Sequence, residues 1–183
     1  MKRNLKRLTF AAVLGALGIV IPLFMPKIVI GDASYTLASH VPLFIAIFIG
    51  PDVAFLVGIA TTTGFFLALT PIIAARAFSH LLWAIPASFI FKKYKDSIYK
   101  TKYNILANII IGFFHALFEC LIVMLFYVGK PSEINSILTT IFIPIGIGGF
   151  IHSLVDFQIS ILVYNRINVH IEEQILETKP KKI

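Results

Sequence analysis

This chain has few charged residues and a single cysteine. Charged residues make up 14% of its 183 residues, whereas a soluble domain usually carries about a quarter. Apolar residues make up 58%, so we expect much of the protein surface to lie in a lipid bilayer and not in water. The single cysteine, Cys120, excludes an intrachain disulfide. At roughly 150 residues per domain the chain forms one domain, with no room for a nucleotide-hydrolysing module.

Six apolar runs predict an all-α membrane protein with six transmembrane helices in a single domain, residues 1–183. The runs are Leu8–Met25, Leu37–Gly50, Val53–Leu69, Ile72–Phe91, Tyr103–Val128 and Ile137–Tyr164. A spanning helix needs about 20 apolar residues and at least about 17, so the second run is marginal. Pro51 and Asp52 fit a tight turn that separates the second run from the third.

The basic residues predict how these helices are oriented. Three basic clusters lie before the first run, after the fourth run and after the last run. Six spans put all three on one side, which the positive-inside rule makes the cytoplasm, whereas merging runs two and three would put the middle cluster outside. We therefore expect a multi-pass protein of a prokaryotic cell membrane with both termini in the cytoplasm and an outer loop at Pro26–Ser39. Basic clusters beside apolar segments also argue against a nucleic-acid partner.

Titratable side chains occur as pairs, four residues apart, on three of the predicted helices. The pairs are Arg76 and His80 on the fourth helix, with Trp83 beyond them, His115 and Glu119 on the fifth, and His152 and Asp156 on the sixth. Residues four apart share a helical face, and ionisable groups in lipid turn inward to find partners. The pairs predict a polar cavity in the bundle, with Arg76 and Glu119 within reach of each other in its outer half.

Three interpretations of these groups are open. They could tie helices together through buried hydrogen bonds. They could bind a small polar ligand, with Arg76 holding an anionic group and Trp83 stacking on a ring. They could hold a metal, because His115, His152 and a carboxylate suit zinc, but the spacing is generic and Arg76 opposes a cation. If these groups only joined helices by hydrogen bonds, burying so many of them would cost desolvation free energy without need. We therefore favour a ligand site with no catalytic residue, metal or other cofactor.

Small residues form a stripe on the first predicted helix. Ala12 and Ala16 lie four residues apart, with Ala11 and Gly15 beside them. Such a stripe lets a second helix approach closely, either within the bundle or from another membrane protein.

Together these features resemble the substrate-binding S-components of energy-coupling factor (ECF) vitamin transporters. The resemblance covers nearly the whole chain, from the basic N-terminus leading into Ala12-x-x-x-Ala16 to the outer loop and the six spans. It implies that Ala12 and Ala16 dock the shared transmembrane coupling protein. It also implies an outward cavity built from the first outer loop and helices four to six. Asp32, Tyr35 and His40 lie in or beside that loop.

The segments Ser39-His-Val-Pro and Phe78-Ser-His-Leu look most like S-components assigned to niacin-type substrates. That resemblance implies a carboxylate on Arg76, a ring against Trp83 or a tyrosine, and a ring nitrogen near His80 and His115. Pyridoxine, pantothenate or a queuosine precursor would fit nearly as well.

The function expected is capture of a small water-soluble vitamin, niacin or another carboxylate-bearing one, from outside the cell. By resemblance, ATP-driven uptake follows association with the coupling protein and two ATPase subunits. Two alternatives are open. A stand-alone proton-coupled carrier would use the His115–Glu119 or His152–Asp156 pair as a relay, and a membrane metalloenzyme would hold a stoichiometric metal.

Overall fold

The computed structural model describes residues 2–30, 33–127 and 138–171, which are helical apart from one β-hairpin and short turns. The elements are α1 (Lys2–Phe24), β1 (Lys27–Ile30), β2 (Ala33–Thr36), α2 (Val41–Ile49), α3 (Pro51–Ala68), α4 (Pro71–Lys93), a 3-10 turn (Lys95–Tyr99), α5 (Thr101–Leu125), a π-helical segment (Leu138–Gly148) and α6 (Gly149–Ile171).

Five of these helices are long and apolar enough to cross a membrane: α1, α3, α4, α5 and the continuous helix that joins the π-helical segment to α6. The predicted membrane helical bundle is therefore confirmed. The second predicted span is shorter than its apolar run. With nine residues, α2 is about 14 Å long, roughly half of a hydrocarbon core about 30 Å thick. The six-span count and the cytoplasmic termini stay predictions.

The short helix α2 is buried along its whole length. It is preceded by a non-helical turn at residues 37–40, and it ends at Gly50, whose φ of +151° is open to glycine and strained for other residues. Pro51 then begins α3, where its missing N–H costs no hydrogen bond. Two helices are separated here as predicted, but the break lies at Gly50, and Pro51 and Asp52 are the first residues of α3 and not a turn.

An ion pair fixes the direction of α2. Arg7 of α1 donates from Nε to Asp52 Oδ2 at 2.7 Å, contacts Oδ1 with its Nη2, and donates from Nη2 to the Ile49 carbonyl at 3.3 Å. The beginning of α1 therefore lies at the same end of the bundle as the α2–α3 turn. Because α1 leads away from that end to the hairpin, α2 must return towards it.

The predicted outer loop is an antiparallel hairpin that pairs Lys27 with Thr36 and Ile30 with Ala33. Strand β1 is exposed throughout, whereas Ala33 and Thr36 of β2 are buried, so β2 faces the bundle. Gly31 and Asp32 lie outside the described residues. The Tyr35 hydroxyl donates to the Pro144 carbonyl of the π-helical segment, which attaches the hairpin to the last helix.

Aromatic side chains of α2 pack against the last turn of α4 and the middle of α6. Phe44 and Phe48 of α2 contact Phe157 with ring centroids 5.2 and 5.9 Å apart, and Phe48 lies 5.2 Å from Phe91. Edge-on aromatic contacts of this kind add to the hydrophobic burial. The half of the bundle containing α2 is thus closed by apolar rings, which leaves the polar groups towards the hairpin end.

Candidate ligand-binding site

Glu119 of α5 lies at the centre of one polar cluster and is almost completely buried. Arg76 Nη2 donates to Glu119 Oε2 at 2.9 Å, as the sequence predicted for this pair. On the other carboxylate oxygen, Oε1, His80 Nε2 lies at 2.9 Å and His115 Nε2 at 3.4 Å. The two histidine Nε2 atoms are 3.1 Å apart. One carboxylate therefore collects a guanidinium and two imidazoles from α4 and α5.

Asp156 of α6 lies at the centre of the second cluster and is fully buried. It accepts backbone N–H bonds from Ala38 at 2.8 Å and His40 at 2.9 Å, and the Ser39 hydroxyl donates to it at 3.3 Å. His40 Nδ1 lies at 3.1 Å and His152 Nε2 at 3.4 Å. This cluster holds the turn before α2, in which Ala38 adopts a left-handed φ of +67°.

His40 lies between the two clusters. Its ring centroid is 4.6 Å from that of His115 and 5.0 Å from those of His80 and His152. His40 meets each of these three rings at a steep angle, so the edge of one ring approaches the face of the other. The polar groups that the sequence placed on three helices and a loop are thus one continuous network.

A cavity of about 100 Å³ lies against this network. Its lining includes Tyr35, Ser39, His40, Arg76, His80, His115, Glu119 and His152, together with Lys27 and residues of α1 and α3. Two predicted site residues lie elsewhere. Asp156 lies behind His40 and Ser39. Trp83 lies behind the imidazoles, 5.6 Å from His115 and 5.8 Å from His80, where it packs on Phe44 and lines a separate apolar groove between α4 and α5.

Several buried donors near the cavity have no partner among the described residues. Arg76 Nε and His115 Nδ1 belong to residues that line it, and Trp83 Nε1 lies one layer further in. An unpaired buried polar group is costly, so such groups mark positions where a ligand can supply the missing acceptor. The arrangement can therefore bind a compact molecule that carries hydrogen-bond acceptors.

Tyr35 closes the hairpin side of the cavity. Its ring lies 5.6 Å from His152, edge to face, and its hydroxyl bonds to the Pro144 carbonyl. Burial raises the pKa of the Tyr35 phenol above its ordinary value of 10.0, so the hydroxyl stays a donor at physiological pH.

The sequence interpretation missed Ser39 and the backbone donors beside it. Ser39 Oγ lies 3.0 Å from His152 Nε2 and 3.2 Å from His40 Nδ1, so it joins the two histidines as well as contacting Asp156. The available signal was a polar Ser-His step at the start of a run too short to span. Residues 37–40 form a non-helical turn, and this is the reason that helix α2 is shorter than the apolar run.

The small-residue stripe on α1 divides into two faces. Ala11, Gly15 and Gly18 are buried, and a Cβ added at Gly15 would lie 2.9 Å from the Ala60 Cβ of α3. Ala12 and Ala16 are exposed on the outer surface of the bundle. Internal packing therefore accounts for the first group, and the second pair stays accessible on the surface of the bundle.

Comparison with known proteins decides the family. No protein-family model and no solved structure matches the chain. The niacin transporter NiaX of Lactococcus lactis subsp. cremoris (strain MG1363) is 37% identical over 163 residues, which is 87% of this chain and 73% of that protein. This chain belongs to the NiaX family. Membership of the NiaX family confirms the resemblance to niacin-type S-components. The chain is accordingly a multi-pass cell-membrane transport protein and not an enzyme.

Proposed function

We propose that this chain is the substrate-binding membrane subunit for niacin or a closely similar single-ring vitamin, taken up with an ECF coupling protein and two ATPases. The observation that carries the proposal is the 37% identity to a niacin transporter over 87% of the chain. The cavity and its unpaired buried donors support it, because the relative's substrate is a small ring with a carboxylate and a ring nitrogen as acceptors.

Cavity size favours a small ligand over a large vitamin. An engineered apolar cavity of about 150 Å³ is known to hold one benzene ring. The cavity here, at about 100 Å³, approaches the size needed for one ring and is far from the space needed for several. Arg76, His80, His115, Glu119, His152, Tyr35 and His40 are the proposed contact residues. Trp83 and Asp156 would act by positioning the imidazoles.

The topology proposed has six membrane segments with both termini in the cytoplasm. The Arg7–Asp52 pair supports it, because it makes α2 a returning segment despite its length. The hairpin and the cavity then lie on the outer side, where a nutrient arrives. Irregular backbone within a membrane is tolerated where it lines a cavity, as residues 37–40 do here.

Coupling is proposed to occur at the exposed Ala12 and Ala16 face of α1. We expect Ala12→Leu and Ala16→Leu to leave nicotinate binding and thermal stability unchanged and to reduce co-purification with the coupling protein. The matched control is Val13→Leu, another exposed position on the same helix. Equal co-purification of all three variants would contradict this docking surface.

Ligand binding is tested with the purified chain and calorimetry, using nicotinate against nicotinamide. We expect saturable nicotinate binding that Arg76→Ala abolishes, since the guanidinium borders the cavity. Arg166→Ala is the control, because Arg166 is exposed on the last helix and does not line the cavity. No heat of binding for either compound, with a folded protein, would contradict the proposal.

One alternative has support from the geometry. His40 bridges two buried carboxylate clusters, which is an arrangement that can pass protons. A stand-alone proton-coupled carrier would take up nicotinate in vesicles containing this chain alone, and a protonophore would stop it. The proposed subunit would show binding but no net uptake until the coupling protein and ATPases are present with ATP.

A further inference from the structure

Three potential metal ligands form a small triangle in the Glu119 cluster. His80 Nε2 lies 2.9 Å from Glu119 Oε1, His115 Nε2 lies 3.4 Å from the same oxygen, and the two nitrogens are 3.1 Å apart. A ring nitrogen of His40 joins them, and all four ligand atoms lie within 4.8 Å of one another. The four residues come from α4, α5 and the turn before α2.

The triangle can hold either protons or a cation. A neutral imidazole carries one proton, on one of its two ring nitrogens. If both histidines carry it on Nε2, both can donate towards Glu119 Oε1. If both carry it on Nδ1, two nitrogen lone pairs and a carboxylate oxygen face one point, and only a cation matches that arrangement.

The three distances within the triangle of His80, His115 and Glu119 are close to those around a tetrahedral ion. With metal–ligand bonds of about 2.0–2.2 Å, the ligand atoms of a tetrahedral site lie about 3.3–3.6 Å apart. The His115–Glu119 distance falls in that range, and the other two would need to lengthen by a few tenths of an ångström. Three imidazoles and one carboxylate are ligands that Zn²⁺ and neighbouring divalent transition metals accept.

Two of the four ligands, His40 and Glu119, have the neighbours that metal sites usually show. Ligating histidines usually pair their other ring nitrogen with a carboxylate, and ligating carboxylates are themselves hydrogen-bonded. Asp156 contacts His40 Nδ1 at 3.1 Å, and Arg76 occupies Glu119 Oε2 at 2.9 Å while leaving Oε1 to the histidines. The sequence predicted that Arg76 would oppose a cation. In the structure Arg76 instead holds the Glu119 carboxylate that would bind the cation.

Charge gives the ion a role. With neutral imidazoles, the buried network holds one guanidinium against two carboxylates, so it is net negative and disfavours an anionic ligand. We infer that His40, His80, His115 and Glu119 bind a divalent transition-metal ion of the Zn²⁺ class, which supplies the positive charge that a carboxylate-bearing ligand needs. The metal site stands on geometry, whereas its role in carboxylate binding rests on the proposed function.

Metal binding is tested first, without any vitamin. The full chain is purified with a histidine-free affinity tag, and its metal content is measured by plasma mass spectrometry. After stripping with a chelator it is titrated with Co²⁺, whose visible absorption reports tetrahedral nitrogen and oxygen coordination. We expect one equivalent bound in wild type, loss in His80→Gln and His115→Gln, and retention in His152→Gln, which carries the same change in the same cavity outside the four ligands.

Folding and function are separated by two further measurements. Each variant is checked by size-exclusion chromatography and thermal unfolding, so that lost metal is scored only in folded protein. Wild type with and without metal is then titrated with nicotinate, and we expect at least about a tenfold weaker affinity without metal.

A folded wild type that binds no Co²⁺ overturns the metal site, even if nicotinate binds. Unchanged nicotinate affinity in metal-free protein, with uptake of a proton, overturns its role. Metal binding without nicotinate binding contradicts the proposed function and leaves the metal site supported.

Discussion

The two buried carboxylates differ in what holds them. Glu119 is surrounded by side chains that end in the cavity, namely Arg76, His80 and His115. Asp156 is held chiefly by backbone N–H groups of the turn before α2, so its strongest partners are independent of side-chain identity. The difference teaches that one carboxylate organises the side chains that line the cavity and the other organises the chain that encloses it.

Removing Asp156 is therefore expected to have the largest effect on stability. Asp156→Ala leaves two backbone donors and His40 without their buried acceptor and frees the strained turn at Ala38. Breaking a buried charged network by removing one partner costs about 3–5 kcal/mol. Thermal unfolding in detergent and protease cleavage within the hairpin measure it. A loss no greater than that of the Glu119 variant would remove the distinction between the two carboxylates.

Glu119→Gln is expected to affect binding more than folding. The amide keeps the shape and one acceptor, but Arg76 loses its charged partner, and hydrogen bonds to charged groups are worth about 1.5–3 kcal/mol. Calorimetry with nicotinate should show lost affinity in a protein that still unfolds cooperatively. If binding survives while stability collapses, the assignment of Glu119 to the ligand site is wrong.

Tyr35→Phe sharpens the comparison, because the hydroxyl anchors the hairpin independently of Asp156. Loss of its bond to the Pro144 carbonyl is expected to cost about 0.5–1.5 kcal/mol. Burial raises the pKa of Tyr35 above 10.0, so the phenol's contribution is complete below pH 10 and is lost as pH rises through the higher folded value. Wild type should therefore approach the variant in stability above pH 10, and a constant difference across that range would contradict this.

Ser39→Ala is expected to have the smallest effect. The Ser39 hydroxyl lies 3.3 Å from Asp156, longer than either backbone bond to that carboxylate, so its loss should cost at most about 1 kcal/mol. Hydrogen exchange of the Ala38 and His40 amides checks whether the turn stays closed. Fast exchange in this variant would show that the hydroxyl, and not the backbone, holds the turn.

The helical part of the site was predictable because it follows a simple periodicity. Pairs at i and i+4 place His115 with Glu119 and His152 with Asp156, and depth in neighbouring helices brings Arg76 to Glu119. Spacing puts Trp83 on the same face of α4 as Arg76 and His80, but it does not tell how far along the helix the cavity extends. Trp83 was therefore expected in the cavity and lies behind the imidazoles instead.

The turn before α2 was beyond prediction for a different reason. Residues 37–40 are part of an apolar run whose composition predicts a helix. The carboxylate of Asp156, more than a hundred residues away, holds them in a turn instead. A long-range contact of this kind leaves no local pattern. The hairpin was expected only as a long connection, although the sequence carried a signal for it, because a two-residue Gly-Asp step separates the two runs that pair as strands.

The interruption of the second segment also determines what opening the cavity would cost. Residues 37–40 belong to no helix, so the hairpin can swing away without unwinding one. Such a motion breaks the bonds to Asp156 and Pro144, while α2 stays packed through Phe44 and Phe48. An opening of this kind would be local, because a handful of contacts would set its free energy and the rest of the bundle would remain folded around it.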